Sequence, residues 1–105
     1  MKKIANYING SMVEPQSGEY FENINPAKGK PYSLIPDSDE SDVSKAVEAA
    51  QKAFPSWSGL SLEERSRYLI RLSEGIEKRM DEFVEAESLD NGKPVSLARQ
   101  VDIPR

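Results

Sequence analysis

Carboxylates are the most numerous reactive side chains in this 105-residue chain: Asp and Glu number 18, against 14 Lys and Arg. A pair of carboxylates can act as general acid and base when its surroundings push the two proton affinities apart. No pair here is set off in an apolar stretch, and Glu82, Glu85 and Glu87 read as a solvated helix face. The run Asp37-Ser38-Asp39-Glu40-Ser41-Asp42 places four carboxylates and two hydroxyls ahead of a helical pattern. Free N–H groups and the positive dipole end at a helix start favour such residues, so the run reads as a cap before it reads as a metal site. Cysteine and histidine are absent. Their absence excludes a thiolate nucleophile, a disulfide scaffold, a Cys/His zinc site and any triad built on histidine. None of the six glycines forms G-x-G, so there is neither a dinucleotide fingerprint nor a P-loop. Lys93, just beyond a helix end, could touch a phosphate or compensate the helix dipole. The net charge of −4 argues against a nucleic-acid partner. No catalytic and no cofactor-binding set is complete here, so the chain is expected to do no chemistry alone.

The elements that would position these residues divide near residue 37. Residues 1–36 carry four prolines, three glycines and short β-type runs. Tyr7-Ile8 and Met12-Val13 flank Asn9-Gly10, a dipeptide that accepts the positive φ angles of a type I′ hairpin turn. Gly18 marks another turn, Tyr20 to Ile24 a strand, Ala27 to Gly29 a turn, and Tyr32 to Ile35 a fourth strand. These runs predict a small antiparallel sheet, too small to be stable alone. From residue 37 onward, Val43, Ala46, Val47, Ala50, Ala53 and Phe54 recur at helical spacing, and Pro55 is expected to end that helix. Ser61 and Glu64 fit a capping box. Leu62, Leu69, Leu72, Ile76, Met80 and Phe83 form one apolar stripe, supported by the i,i+4 pairs Glu63/Arg67 and Glu74/Lys78. Gly75 predicts either close packing or a weak point. A helix over about 81–90 ends at Asn91-Gly92, and Val95, Ala98 and Val101 predict one more short helix, broken at Pro104. Phe54, Pro55 and Trp57 read as an aromatic cluster that packs in a core or against a partner.

Leu, Ile, Val and Phe number only 23. That is close to the level of roughly one fifth at which disorder becomes the better expectation. The patterning favours a folded segment with a thin core, one that packs against something else and is marginally stable alone. No apolar run reaches the roughly 20 residues of a membrane span, and Met1-Lys2-Lys3 is followed by no apolar signal region. A cytoplasmic protein with neither a membrane nor a nucleic-acid partner is the expectation.

Several motifs, in order, resemble the start of an NAD(P)-dependent aldehyde dehydrogenase. They are Tyr7-Ile8-Asn9-Gly10, Phe21-Glu22-Asn23-Ile24-Asn25-Pro26-Ala27-x-Gly29, and Asp42-Val43-x-x-Ala46-Val47-x-Ala49-Ala50. Phe54-Pro55-x-Trp57, Glu64-Arg65 and Leu89-Asp90-Asn91-Gly92-Lys93-Pro94 follow. The resemblance implies an α/β fold class: short strands and a hairpin, then three to four helices, forming the amino-terminal portion of an incomplete Rossmann-like cofactor domain over 1–105. It implies that the catalytic cysteine, the general-base glutamate, the oxyanion-hole asparagine and the NAD or NADP contacts lie in a remainder of the chain. It also implies a homodimer or homotetramer for the complete enzyme. The family reaction is thiolate attack on an aldehyde, hydride transfer to NAD(P), then hydrolysis of the thioester.

The resemblance implies two further sites. Backbone oxygens at Asn23 and Ile24, with Asp90, correspond to positions that hold a monovalent cation, sodium or potassium, in many members; the plainer role for Asp90 is to end a helix. Glu87, Ser96-Leu97-Ala98-Arg99 and Asp102-Ile103-Pro104-Arg105 resemble the branch of 2-hydroxymuconic and 2-aminomuconic semialdehyde dehydrogenases of aromatic catabolism. There Arg105 would meet a substrate carboxylate; its plainer role is a solvated arginine beside a helix end. A free-standing interaction module that reuses this segment is the alternative to a dehydrogenase part.

Overall fold

The structure is a computed structural model and describes residues 1–105. Five short strands precede the helices: β1 (Lys2–Lys3), β2 (Asn6–Ile8), β3 (Ser11–Val13), β4 (Tyr20–Asn25) and β5 (Lys30–Pro36). Four helices follow: α1 (Glu40–Ser58), α2 (Leu62–Lys78), α3 (Met80–Asn91) and α4 (Val95–Leu97), the last running into a π-helical turn, Ala98–Asp102. Instead of one antiparallel sheet, the strands form two: an antiparallel β2-β3 pair and a three-stranded sheet ordered β1-β5-β4. β1 runs parallel to β5, with Lys2 opposite Ser33 and Lys3 opposite Leu34. Two consecutive lysines carry no apolar alternation, so this strand has no signature in the sequence. The Lys3 ammonium lies 4.5 Å from the centre of the Tyr20 ring, where the aromatic face favours a cation.

The chain forms two compact units, the first comprising 1–23 and 31–60. In it, Asn9 and Gly10 take φ of 52° and 78°, the left-handed values a two-residue hairpin turn requires, and Ile8 pairs with Ser11. β2 packs on α1, whose alanines Ala46, Ala49, Ala50 and Ala53 face Tyr7 to Gly10 across a shallow cleft. The acidic run is a cap. Asp39 accepts from the Ser41 and Asp42 N–H groups, and Asp42 accepts from the Asp39 N–H, a reciprocal capping box. Asp42 is nearly buried, and its other oxygen accepts the Gln16 N–H at 2.9 Å, which ties the Gly18 turn to the helix start. Contrary to the sequence expectation, Pro55 lies inside α1. Proline removes one N–H donor, and in the last turn the helix survives that loss. α1 ends at Gly59, whose N–H closes on the Pro55 carbonyl at 3.1 Å.

The second unit comprises 24–30 and 61–105. Ser61 and Glu64 cap α2 reciprocally, as the sequence predicts, and Glu63 pairs with Arg67 at 3.3 Å. The apolar stripe is divided at Arg79, whose φ of −115° and ψ of 26° break the helix, so Met80 and Phe83 belong to α3. A Cβ on Gly75 would meet nothing within 4 Å, so the close packing considered for this glycine is absent from these residues. The buried apolar core is as thin as the composition predicts: Val84 and Ala98 are its members, while Leu62 is 77 % exposed and Leu69 62 %. No helix is long and apolar enough to cross a membrane.

Candidate functional site

The end of α3 organises the second unit. Gly92 adopts φ of 79°, and its N–H bonds the Ser88 carbonyl at 3.0 Å, which closes the helix in the left-handed conformation that glycine tolerates best. The Ser88 hydroxyl donates to the Lys93 carbonyl at 2.6 Å, and the Lys93 N–H donates to Asn91 Oδ1 at 2.9 Å. These bonds fix the backbone of Lys93. Its ammonium then reaches Asp102 Oδ2 at 2.9 Å. Lys93 is therefore the ion-pair partner of a carboxylate nine residues on.

Pro94 opens α4, and the Ala98 N–H bonds its carbonyl at 3.1 Å. Ala98 is fully buried, as is Val84 of α3. The Ile103 N–H returns to the Ala98 carbonyl at 3.0 Å, an i to i+5 bond that defines the π turn. Arg99 pairs with Asp81 at the start of α3, at 2.7 Å. The predicted final helix is thus an α turn followed by a π turn, tied to its surroundings by two ion pairs.

Beyond the turn, Ile103, Pro104 and Arg105 line a cleft of about 350 Å³ together with Ser73, Ile76, Glu77 and Met80. Its apolar walls are Ile76, Met80, Ile103 and Pro104. Arg105 is exposed at this cleft and supplies the kind of fork that grips a carboxylate with two charge-assisted bonds. Glu77 lines the same cleft, so an anion there meets one cation and one like charge.

Asn23 is half-buried, and its amide donates to the Tyr32 hydroxyl at 2.8 Å. Ile24 is 45 % exposed and immediately precedes Asn25, whose side chain accepts the Ala27 N–H at 2.9 Å. Asp90 lies in the last turn of α3. Within the second unit, the end of α3 meets the turn after Ile24: a Cβ on Gly92 would stand 3.1 Å from Pro26 Cγ. No group of three or more His, Cys, Asp or Glu side chains could hold a metal ion.

Residues 12–105 match the aldehyde dehydrogenase family. The chain belongs to that family. It is 45 % identical over its full length to the 2-hydroxymuconic semialdehyde dehydrogenase of Pseudomonas sp. (strain CF600), of which it covers 22 %. It is 41 % identical, over 97 % of its length, to the human 2-aminomuconic semialdehyde dehydrogenase, of which it covers 20 %. Among solved structures, PnpE from Pseudomonas sp. WBC-3 superposes with a TM-score of 0.93 at 36 % identity, covering 99 % of this chain and 21 % of that one. An NAD+ complex of the aldehyde dehydrogenase from Bacillus cereus gives 0.92 at 36 % identity, covering 97 % of this chain and 21 % of that one. The chain therefore spans about a fifth of the length of the relatives it matches. Its short strands and following helices are the mixed α/β amino-terminal region of the aldehyde dehydrogenase fold.

The Lys93–Asp102 and Asp81–Arg99 pairs leave no signal in the sequence. Partners nine and eighteen residues apart lie beyond the i,i+3 and i,i+4 neighbours of a single helix, so only the folded turn brings them together.

Proposed function

We propose that this chain is the amino-terminal portion of the cofactor-binding domain of an NAD(P)-dependent dehydrogenase that oxidises a semialdehyde of the muconic type to a carboxylic acid. The full-length 45 % identity to a 2-hydroxymuconic semialdehyde dehydrogenase carries this reading. The similarity leaves no part of the chain over, which favours a dehydrogenase part above a free-standing interaction module. The nucleophile comes from outside these residues, because they include no cysteine. NAD or NADP, when bound, accepts the hydride; this chain's share is to present Arg105 to a carboxylate on the substrate.

Two further parts of the reading rest on the family resemblance. Carbonyl oxygens at Asn23 and Ile24 and the carboxylate of Asp90 would hold a sodium or potassium ion. The complete enzyme would be a cytoplasmic homodimer or homotetramer. The deciding experiment is to supply the complete enzyme carrying this segment with 2-hydroxymuconic semialdehyde and with a neutral aldehyde of similar size, and to follow NAD(P)H at 340 nm. Preference for the semialdehyde supports the reading. Equal turnover of both would refute the substrate class while leaving the family untouched.

A further inference from the structure

The π turn at Ala98–Asp102 determines where Arg105 emerges. In an unbroken α-helix, the Ile103 N–H would bond the Arg99 carbonyl; here it bonds Ala98, one residue earlier. One inserted residue rotates everything beyond it by about 100° around the helix axis. Such a turn holds only if its flanks are fixed, and they are. Ala98 is buried, which anchors its start. At its end, Asp102 is held by Lys93 at 2.9 Å, and the Asp102 side chain is only 22 % exposed. Lys93 is in turn fixed by Ser88 and Asn91 at the end of α3. The path from a rigid helix end to Ile103 and Arg105 is therefore short: Ser88, Lys93, Asp102, then two residues to Pro104, whose ring restricts φ just before Arg105.

We propose that the Lys93–Asp102 ion pair is a positioning device that aims Arg105 into the cleft lined by Ile76, Met80 and Ile103, and so tunes preference for carboxylate-bearing aldehydes. This rests on the reading of Arg105 as the ligand of the substrate carboxylate. Lys93 and Asp102 touch no substrate in this scheme; they act through the π turn. A bidentate grip depends on angle as well as distance, and misplacement by about 1 Å weakens it severely. A purely structural ion pair would lower activity on all aldehydes alike, whereas a positioning pair changes the ratio between them.

The measurement is the ratio of kcat/KM for a carboxylate-bearing semialdehyde to that for a neutral aldehyde of similar size, in the complete enzyme. Lys93→Met and Asp102→Asn should each lower this ratio by about three- to tenfold, through KM for the carboxylate-bearing substrate. The double variant should lose little more than either single one, because both remove the same pair. Lys93→Arg should restore the ratio to within about twofold, since it keeps the charge. Exchange of the Ile103 amide hydrogen should speed up in Lys93→Met, reporting a loosened π turn. Asp102→Asn keeps the side-chain size and serves where Lys93→Met does not fold. An unchanged ratio in these variants, with Arg105→Ala lowering it, would overturn the positioning role alone. Equal losses on both substrates would overturn it in favour of a structural pair. An Arg105→Ala enzyme that keeps the parent ratio would remove the Arg105 reading, and this inference with it.

Discussion

Gly92 and Pro26, sixty-six positions apart in the chain, meet so closely that a Cβ on Gly92 would stand 3.1 Å from Pro26 Cγ. Each belongs to one of the motifs through which the sequence resembles the aldehyde dehydrogenases, so two stretches far apart in the chain are spatial neighbours. Gly92 also takes φ of +79°, where any residue with a Cβ is strained. Gly92→Ala therefore combines backbone strain with a crowded contact and should cost about 1–3 kcal/mol. Gly75 is the control. It lies within α2 with open space around it, so Gly75→Ala should stabilise the 105-residue chain by up to about 1 kcal/mol. Denaturant midpoints of the two variants should move in opposite directions. Equal effects would mean that neither the positive φ nor the Pro26 contact constrains Gly92.

What could be read from the sequence was local. Asn9-Gly10, the Ser61/Glu64 box, the acidic cap and the end of α3 at Gly92 are each written within four or six consecutive residues, because hydrogen bonds to nearby backbone create them. The parallel pairing of Lys2–Lys3 with β5 was not legible, because partners some thirty residues apart leave no period. Pro55 misled, because proline's penalty depends on where in the helix it falls, and the last turn forfeits least. At the candidate site, Arg105 and Asp90 are singled out only by the family resemblance, because neither stands in a local pattern that marks a ligand. The Lys93–Asp102 pair needed the π turn to bring it together.

The cap of α1 carries a pH dependence of defined sign. The Ser41 hydroxyl, donating at 2.6 Å, and the Asp42 N–H hold the Asp39 carboxyl below the usual carboxylate range. The folded form thus binds a proton less readily than the unfolded form. Its stabilisation is complete above the ordinary carboxylate pKa and is lost as pH falls through the lower folded value. Asp39→Asn keeps a capping oxygen but cannot titrate. Between about pH 6 and about pH 2.5, the melting temperature of the Asn variant should therefore fall less than that of the parent. A parallel fall would show that Asp39 contributes nothing to acid sensitivity.

The 105-residue chain alone should not reduce NAD or NADP in the presence of an aldehyde. It has no cysteine to attack the carbonyl, and its buried apolar core is limited to Val84 and Ala98. The same thin core predicts a broad, low thermal transition for the isolated monomer. Reduced nucleotide above a no-protein blank would refute the first statement. A sharp cooperative transition well above about 60 °C would refute the second.

Asp90 distinguishes an ion ligand from a helix terminus. If its carboxylate and the carbonyls at Asn23 and Ile24 hold a monovalent cation in the complete enzyme, sodium or potassium should raise the melting temperature, because an ion that binds only the folded form stabilises it. Asp90→Ala should weaken that response and leave KM for the aldehyde nearly unchanged. Were Asp90 only the end of α3, parent and variant would respond to these ions equally, and the variant would simply melt lower at every ion concentration.

Arg105 is the residue that tests the proposed substrate class. It lines a cleft together with the apolar Ile76, Met80 and Ile103, and Pro104 restricts the backbone before it. A carboxylate in that cleft can accept two parallel charge-assisted bonds, and loss of one such pair is worth about 1.5–3 kcal/mol. Arg105→Ala in the complete enzyme should therefore raise KM for a carboxylate-bearing semialdehyde by about ten- to a hundredfold. A neutral aldehyde of similar size has nothing to offer the guanidinium, so its KM should move far less. Glu77 at the same cleft supplies an internal check. Its charge opposes an incoming carboxylate, so Glu77→Gln should lower KM for the semialdehyde, the reverse of the arginine variant. Steady-state kinetics on both substrates separates the outcomes: equal losses for both in Arg105→Ala mean a folding defect, and no loss for either removes Arg105 from the site.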